Sequence, residues 1–116
     1  MTYCKLHALL TDAQDCADLD TYIAECGGSV PPEYIGDDGD ASAAIELLTN
    51  LWQFRGGINF RQLREFSGMY LAEFSRHYAG IPQRSIEDWN AGKHEPPQYL
   101  LELLLADILN SKKSED

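Results

Sequence analysis

Apolar residues in this chain recur mostly three and four positions apart, with polar residues between them, and that spacing predicts helices rather than strands. The most organised stretch runs from Leu71 to Pro97. There Phe74 and Tyr78 stand at i, i+4, Ile86 and Trp89 stand at i, i+3, and Ala79-Gly80-Ile81-Pro82 joins the two patterns. Gly80 tolerates the backbone of a tight turn, and Pro82 suits the start of a helix, where its missing N–H leaves no bond unmade. One short helix therefore ends here and another begins. Upstream, Phe60, Leu63 and Phe66 give an apolar face that opens at Asn59-x-x-Gln62, a capping-box spacing, and stops at Gly68. Downstream, Pro96-Pro97 introduces a last helix whose core stripe is Leu101, Leu104, Leu105 and Ile108. Tyr99, Leu100, Leu103 and Leu109 widen that stripe beyond the ~100° a surface helix needs. The surplus calls for cover, either from an earlier helix of the chain or from a second copy, hence an expected homodimer through the last helix.

The N-terminal half is patterned less regularly. Residues 41–55 place Ile45, Leu48, Leu51 and Trp52 on one helical face and end at Gly56-Gly57. Thr11-x-x-Gln14 has capping-box spacing, and Cys16, Leu19, Ile23 and Cys26 follow on one face, which predicts a helix from Thr11 to Cys26 closed by Gly27-Gly28. Residues 1–10 alternate weakly, as a strand would. A lone strand leaves its backbone groups unsatisfied, so a buried helical turn fits equally well. Residues 27–40, rich in Gly, Pro and Asp, form a loop with one turn around Pro32 to Ile35. The expected architecture is all-α: an acidic, mostly helical extension over residues 1–57 and a helical domain over 58–116. In that domain Phe60, Leu63, Phe74, Tyr78, Ile86, Trp89, Leu101, Leu104 and Leu105 share one core.

Charge changes the picture. The 116 residues carry a formal net charge of −10. Residues 1–57 hold only Lys5 and Arg55 against ten acidic side chains, a net of −8, whereas residues 58–116 hold seven basic against nine acidic, a net of −2. A negative surface opposes approach to phosphate backbones. No apolar run approaches the ~18 residues of a membrane span, and the N-terminus lacks the basic, apolar and small-residue segments of a secretory leader, so a cytoplasmic protein with no membrane partner is expected.

The C-terminal half also resembles a known family. Residues from about 59 to 109 contain Leu63-Arg64-Glu65, Ser67-Gly68-Met69, Glu73-Phe74-Ser75, Gly80-Ile81-Pro82, Arg84, Ile86, Trp89, Gly92, Pro96-Pro97 and Tyr99-Leu100-Leu101-Glu102-Leu103. As a set these are similar to the lambda-repressor/Cro-like (XRE-type) helix-turn-helix family. The resemblance implies a lambda-repressor-like bundle in a sequence-specific DNA-binding transcriptional regulator, or an antitoxin-like repressor, of bacterial or phage type, acting on duplex DNA. It places Gln83, Arg84, Asp88 and Lys93 against DNA. Arg84 on guanine and Gln83 on adenine are chemically apt pairs, and Asp88 can accept from cytosine N4. Tyr70-Leu71 stands where the family commonly has a capping Ser-Gln, Ala79 adds one residue to the turn, and Asn90 replaces an acidic residue that pairs with the first-helix arginine. Arg64 is thus expected to bond a carbonyl, Asn90 itself or water.

A second class of function follows from the −8 of residues 1–57 together with those departures from the family pattern. A small acidic protein whose carboxylates imitate phosphate spacing would occupy a basic partner such as a nuclease, as a phage anti-defence or anti-CRISPR-like DNA mimic would, with Asp37, Asp38 and Asp40 as contact residues. Those three aspartates lack the ligand spacing of a calcium loop and read as a solvated turn. Cys4, His7, Cys16 and Cys26 supply the ligand count of a structural zinc site. On one continuous helix, however, Cys16 and Cys26 lie ~15 Å apart, too far to share an ion, and buried thiols with no cofactor are expected instead. His7, His77 and His94 fall in separate segments, and no catalytic constellation stands out, so an enzyme is not expected.

Overall fold

The computed structural model describes residues 2–36 and 38–114, with backbone alone for 112–114. Seven α-helices and no strand occur among the described residues: α1 (Tyr3–Asp15), α2 (Leu19–Cys26), α3 (Ser42–Trp52), α4 (Phe60–Ser67), α5 (Leu71–His77), α6 (Gln83–Ala91) and α7 (Gln98–Ser114). The chain divides into two compact units, Met1–Gly57 and Ile58–Asp116. None of the described helices is long and apolar enough to cross a membrane.

In the first unit the weakly alternating N-terminus is helical. The Thr2 side chain accepts from the Lys5 N–H at 3.2 Å and caps α1. Thr11 lies inside that helix, where its hydroxyl donates to the His7 carbonyl at 2.9 Å, so the expected cap at Thr11 is not formed. The expected single helix from Thr11 to Cys26 is also broken. Asp18 takes an extended backbone (φ −150°, ψ 171°) and its carboxylate accepts from Thr21 N–H at 2.8 Å, starting α2 afresh. A short polar side chain that can satisfy an orphan N–H outcompetes continuation of the helix.

Helices α1, α2 and α3 pack on one another. Leu6, Leu9, Leu10 and Ala13 of α1, Tyr22 and Cys26 of α2, and Ala44, Leu47, Leu48 and Leu51 of α3 are buried, as is Phe54 just beyond. Tyr22 is fully buried, and its hydroxyl donates to the Leu9 carbonyl at 2.8 Å, which satisfies the one polar atom that the ring takes inside. The apolar face of α3 is rotated one residue from expectation. Ile45 is 45 % exposed and Trp52 half-buried, because the small Ala44 sits at the packing seam and sets the stripe 44, 47, 48, 51. Between α2 and α3, short 3-10 turns form at Gly27–Ser29 and Pro32–Tyr34.

In the second unit, Asn59 Oδ1 accepts from Gln62 N–H at 3.2 Å and caps α4, which Gly68 closes at φ 78°. Helix α5 begins at Tyr70 without a side-chain cap, as its lack of a short polar group dictates. The turn after it is held by Ile81 N–H on the Tyr78 carbonyl at 2.9 Å, and the Pro82 carbonyl then accepts from Ser85 and Ile86 to start α6. Gly92, at φ 80°, ends α6 with its N–H on Trp89 O while Lys93 N–H reaches Asp88 O, the paired closure that an αL glycine permits.

Phe60, Leu63, Phe74, Ile86, Leu101, Leu104 and Leu105 are buried, whereas Tyr78 and Trp89 are only half-buried. Rings run in contact from Trp89 to Phe60 (5.6 Å between centroids), Phe60 to Phe74 (5.3 Å) and Phe74 to Tyr78 (4.7 Å). The aromatic residues thus serve the core. On α7, Leu109 is buried, while Tyr99 and Leu103 stand 61 % and 45 % exposed.

Candidate nucleic-acid interface

Helix α6 owes its placement to α4. The Arg64 side chain, half-buried on α4, donates from Nε to Asn90 Oδ1 at 3.2 Å and from a terminal nitrogen to the Met69 carbonyl at 3.1 Å. Arg61, one turn earlier, donates to the Asn90 backbone carbonyl. Asn90 therefore receives guanidinium groups on both its side chain and its backbone, and Arg64 finds partners without a carboxylate. Two charge-assisted bonds to one residue set the rotation of α6 about its own axis. At the other end of the core, Tyr78 O–H donates to Asp107 Oδ2 at 2.7 Å and His77 Nε2 lies 3.9 Å from the same oxygen, tying the end of α5 to α7. Burial, then the Asp107 carboxylate, raise the Tyr78 hydroxyl well above the ordinary tyrosine range.

With Ile86 buried on the inner side, the first turn of α6 turns Gln83 and Arg84 to solvent. Gln83 Nε2 donates to Glu87 Oε1 at 3.1 Å, an i, i+4 bond that occupies part of its amide. Asp88, one turn beyond Arg84, is half-buried. Lys93 is exposed but lies past the C-terminal end of α6, roughly 13 Å from Gln83 at ~1.5 Å per residue, so it does not join the other three. Arg76, which the sequence pattern does not single out, shares a groove with one of them, Gln83. It lies on the last turn of α5 and, with Ser75, Ala79, Pro82 and Gln83, lines an open groove of about 490 Å³. Its signal was its place, seven residues before Gln83 across a short turn.

The remaining candidates are scattered. Asp37 lies outside the described residues. Asp38 and Asp40 are exposed, and both carboxylates are engaged locally: Asp38 Oδ1 accepts from Asp40 N–H at 3.0 Å, and Asp40 Oδ1 accepts from the N–H and hydroxyl of Ser42 at 2.9 and 2.6 Å. The Ser42 hydroxyl and N–H hold Asp40 below the usual carboxylate range. Cys4 and His7 are exposed on α1. Cys16 donates to Glu25 Oε2 at 3.5 Å and Cys26 to Asp12 Oδ2 at 3.9 Å, so the thiols face carboxylates. Burial and those negative neighbours push the Cys26 thiol up to about 11. Although the chain does break between Cys16 and Cys26, no group of three or more His, Cys, Asp or Glu among the described residues is placed to hold a metal ion.

Compared with protein-family models, curated proteins and solved structures, the chain matches none. What stands without comparison is an all-α chain of two helical units, the second of which presents Arg76, Gln83 and Arg84 around one turn.

Proposed function

We propose that the second unit is a lambda-repressor-like helix-turn-helix that binds duplex DNA in a sequence-specific manner, as a transcriptional regulator or antitoxin-like repressor. The exposed pair Gln83 and Arg84 on the first turn of α6, backed by buried Ile86, carries the reading. A recognition helix enters the major groove with its N-terminal residues leading, and these two side chains have the donors and acceptors that read adenine and guanine. Arg76 lies across the turn, where it would contact phosphate. Asp88 and Lys93 take secondary places, the first on cytosine and the second on the backbone beyond the far end of the helix. The exposed Tyr99 and Leu103 of α7 support pairing of two copies, as a two-fold operator requires. The reading needs no cofactor, no catalytic group and no membrane, and places the protein in the cytoplasm; one equivalent of zinc in the purified protein would count against it.

The test is selection from random duplexes at about 50 mM salt, where phosphate contacts are strongest. A recovered motif whose preference at one base pair is erased by Arg84→Ala supports the reading, and failure to enrich any duplex removes it.

A second reading has its own observation. All the described acidic residues of the first unit are exposed, against the two basic residues Lys5 and Arg55. That suits a decoy for a basic nucleic-acid enzyme, with Asp38 and Asp40, and Asp37 beside them, among the contacts. Its electrostatic attraction would act chiefly on the association rate.

A further inference from the structure

A half-enclosed cleft of about 250 Å³ lies between the start of α4 and the end of α6, away from Gln83 and Arg84. Phe60, Trp89, Ile58 and Leu101 give it an apolar floor, and Arg61 and Glu95 stand on its walls. A packing defect in an apolar core is lined by apolar atoms alone and stays dry. This cleft instead opens to solvent and has a guanidinium and a carboxylate in its lining beside aromatic rings. The Arg61 guanidinium donates to the Asn90 carbonyl, which restricts the side chain beside the cleft and lowers the entropy it would lose on meeting an anion.

We propose that this cleft binds a small zwitterion with an apolar side chain, an α-amino acid in chemical class. Its carboxylate would meet Arg61, its ammonium Glu95, and its side chain the ring edges of Phe60 and Trp89. The cleft falls below the ~300–1,000 Å³ of pockets that take drug-sized ligands, which limits the occupant to about the size of one amino acid. The inference goes beyond the DNA reading and does not rest on it. The occupant would join the two helices that Arg61 and Arg64 already link through Asn90.

The test is calorimetric titration of the full chain with L-phenylalanine and L-leucine, alongside N-acetyl-L-phenylalanine, which lacks the ammonium, and L-phenylalanine amide, which lacks the carboxylate. These two also mimic a peptide's C-terminal and N-terminal residue. The free amino acids should bind saturably, and each blocked form should bind about tenfold more weakly, the cost of one lost charge-assisted contact. Glu95→Gln should abolish the preference for the free amino acid over the N-acetyl form, and Arg61→Gln the preference over the amide. Because Arg61 also bonds Asn90, the exposed Glu95 is the decisive variant. Bound ligand should shift the Trp89 indole and Gly92 amide signals in a nitrogen–proton correlation spectrum. No saturable binding by about 10 mM would overturn the proposal. Equal binding of the free and blocked forms, or an affinity indifferent to Glu95→Gln, would overturn it as well.

Discussion

The two units solve the same packing problem with different materials. The first, Met1–Gly57, fills its interior mostly with leucines and one tyrosine, and every described acidic residue in it is exposed. The second, Ile58–Asp116, carries a smaller net charge and ties its elements together with polar side chains: Arg61 and Arg64 on Asn90, Tyr78 on Asp107, and Gln98, whose amide accepts from Ile58 N–H at 2.8 Å and donates to Ile58 O at 2.9 Å. Leucine packing holds helices together without fixing their rotation closely, whereas directional bonds to one residue do fix it. On the DNA-binding proposal, the second unit is the one whose helix orientation matters, and the first contributes bulk electrostatics.

The largest effect expected from breaking this contrast is in the second core. Phe74 is fully buried and touches the rings of Phe60 and Tyr78, so Phe74→Ala should cost about 3–5 kcal/mol in denaturant unfolding. A loss below about 1 kcal/mol would place it outside the core. Next comes the brace. Asn90→Ala strands Arg64 Nε in a half-buried site and should cost about 1.5 kcal/mol. It should also weaken DNA binding without touching a base-reading side chain; unchanged binding would show that α6 needs no such latch. In the first unit, Tyr22→Phe removes one buried hydroxyl bond, and about 1 kcal/mol should be lost in urea.

The smallest expected effect is a cap. The Thr21 backbone and side chain lower the Asp18 carboxyl from its ordinary value. A carboxyl whose folded pKa lies below its unfolded one stabilises fully above the unfolded value, near ~3.9, and loses that contribution as pH falls through the folded value. Asp18→Ala should therefore lower the melting temperature slightly at pH 7, and the gap from wild type should close under strong acid. A gap that persists there would mean the side chain acts by packing.

Periodicity marked the helices well where apolar residues were large and caps were single. Phe60, Leu63, Phe74 and Ile86 are buried as their spacing predicts. It failed where two signals competed. Thr11 has the same capping spacing as Asn59, yet Thr2 had already started that helix and Asp18 starts the next. Ile45 looked like core because it is larger than Ala44, but a seam between close helices selects for small size as well as apolarity. Of the candidate interface, the α6 pair was legible from resemblance. Arg76 was not, since its role depends on how a turn folds back. Nor did the Asn90 brace show its full extent, because Arg61 uses a backbone carbonyl that no side-chain pattern marks.

The most direct measurement of the central claim is the affinity of one selected duplex for three proteins: wild type, Arg84→Ala, and the double variant Asp38→Asn with Asp40→Asn. A DNA-reading α6 predicts that Arg84→Ala loses about 1–3 kcal/mol of discrimination against the mismatched duplex, while the aspartate variant binds as well as wild type or better through relieved repulsion. Discrimination untouched by Arg84→Ala, together with weaker binding to a basic nucleic-acid enzyme in the aspartate variant, would contradict it and move the function to the acidic unit.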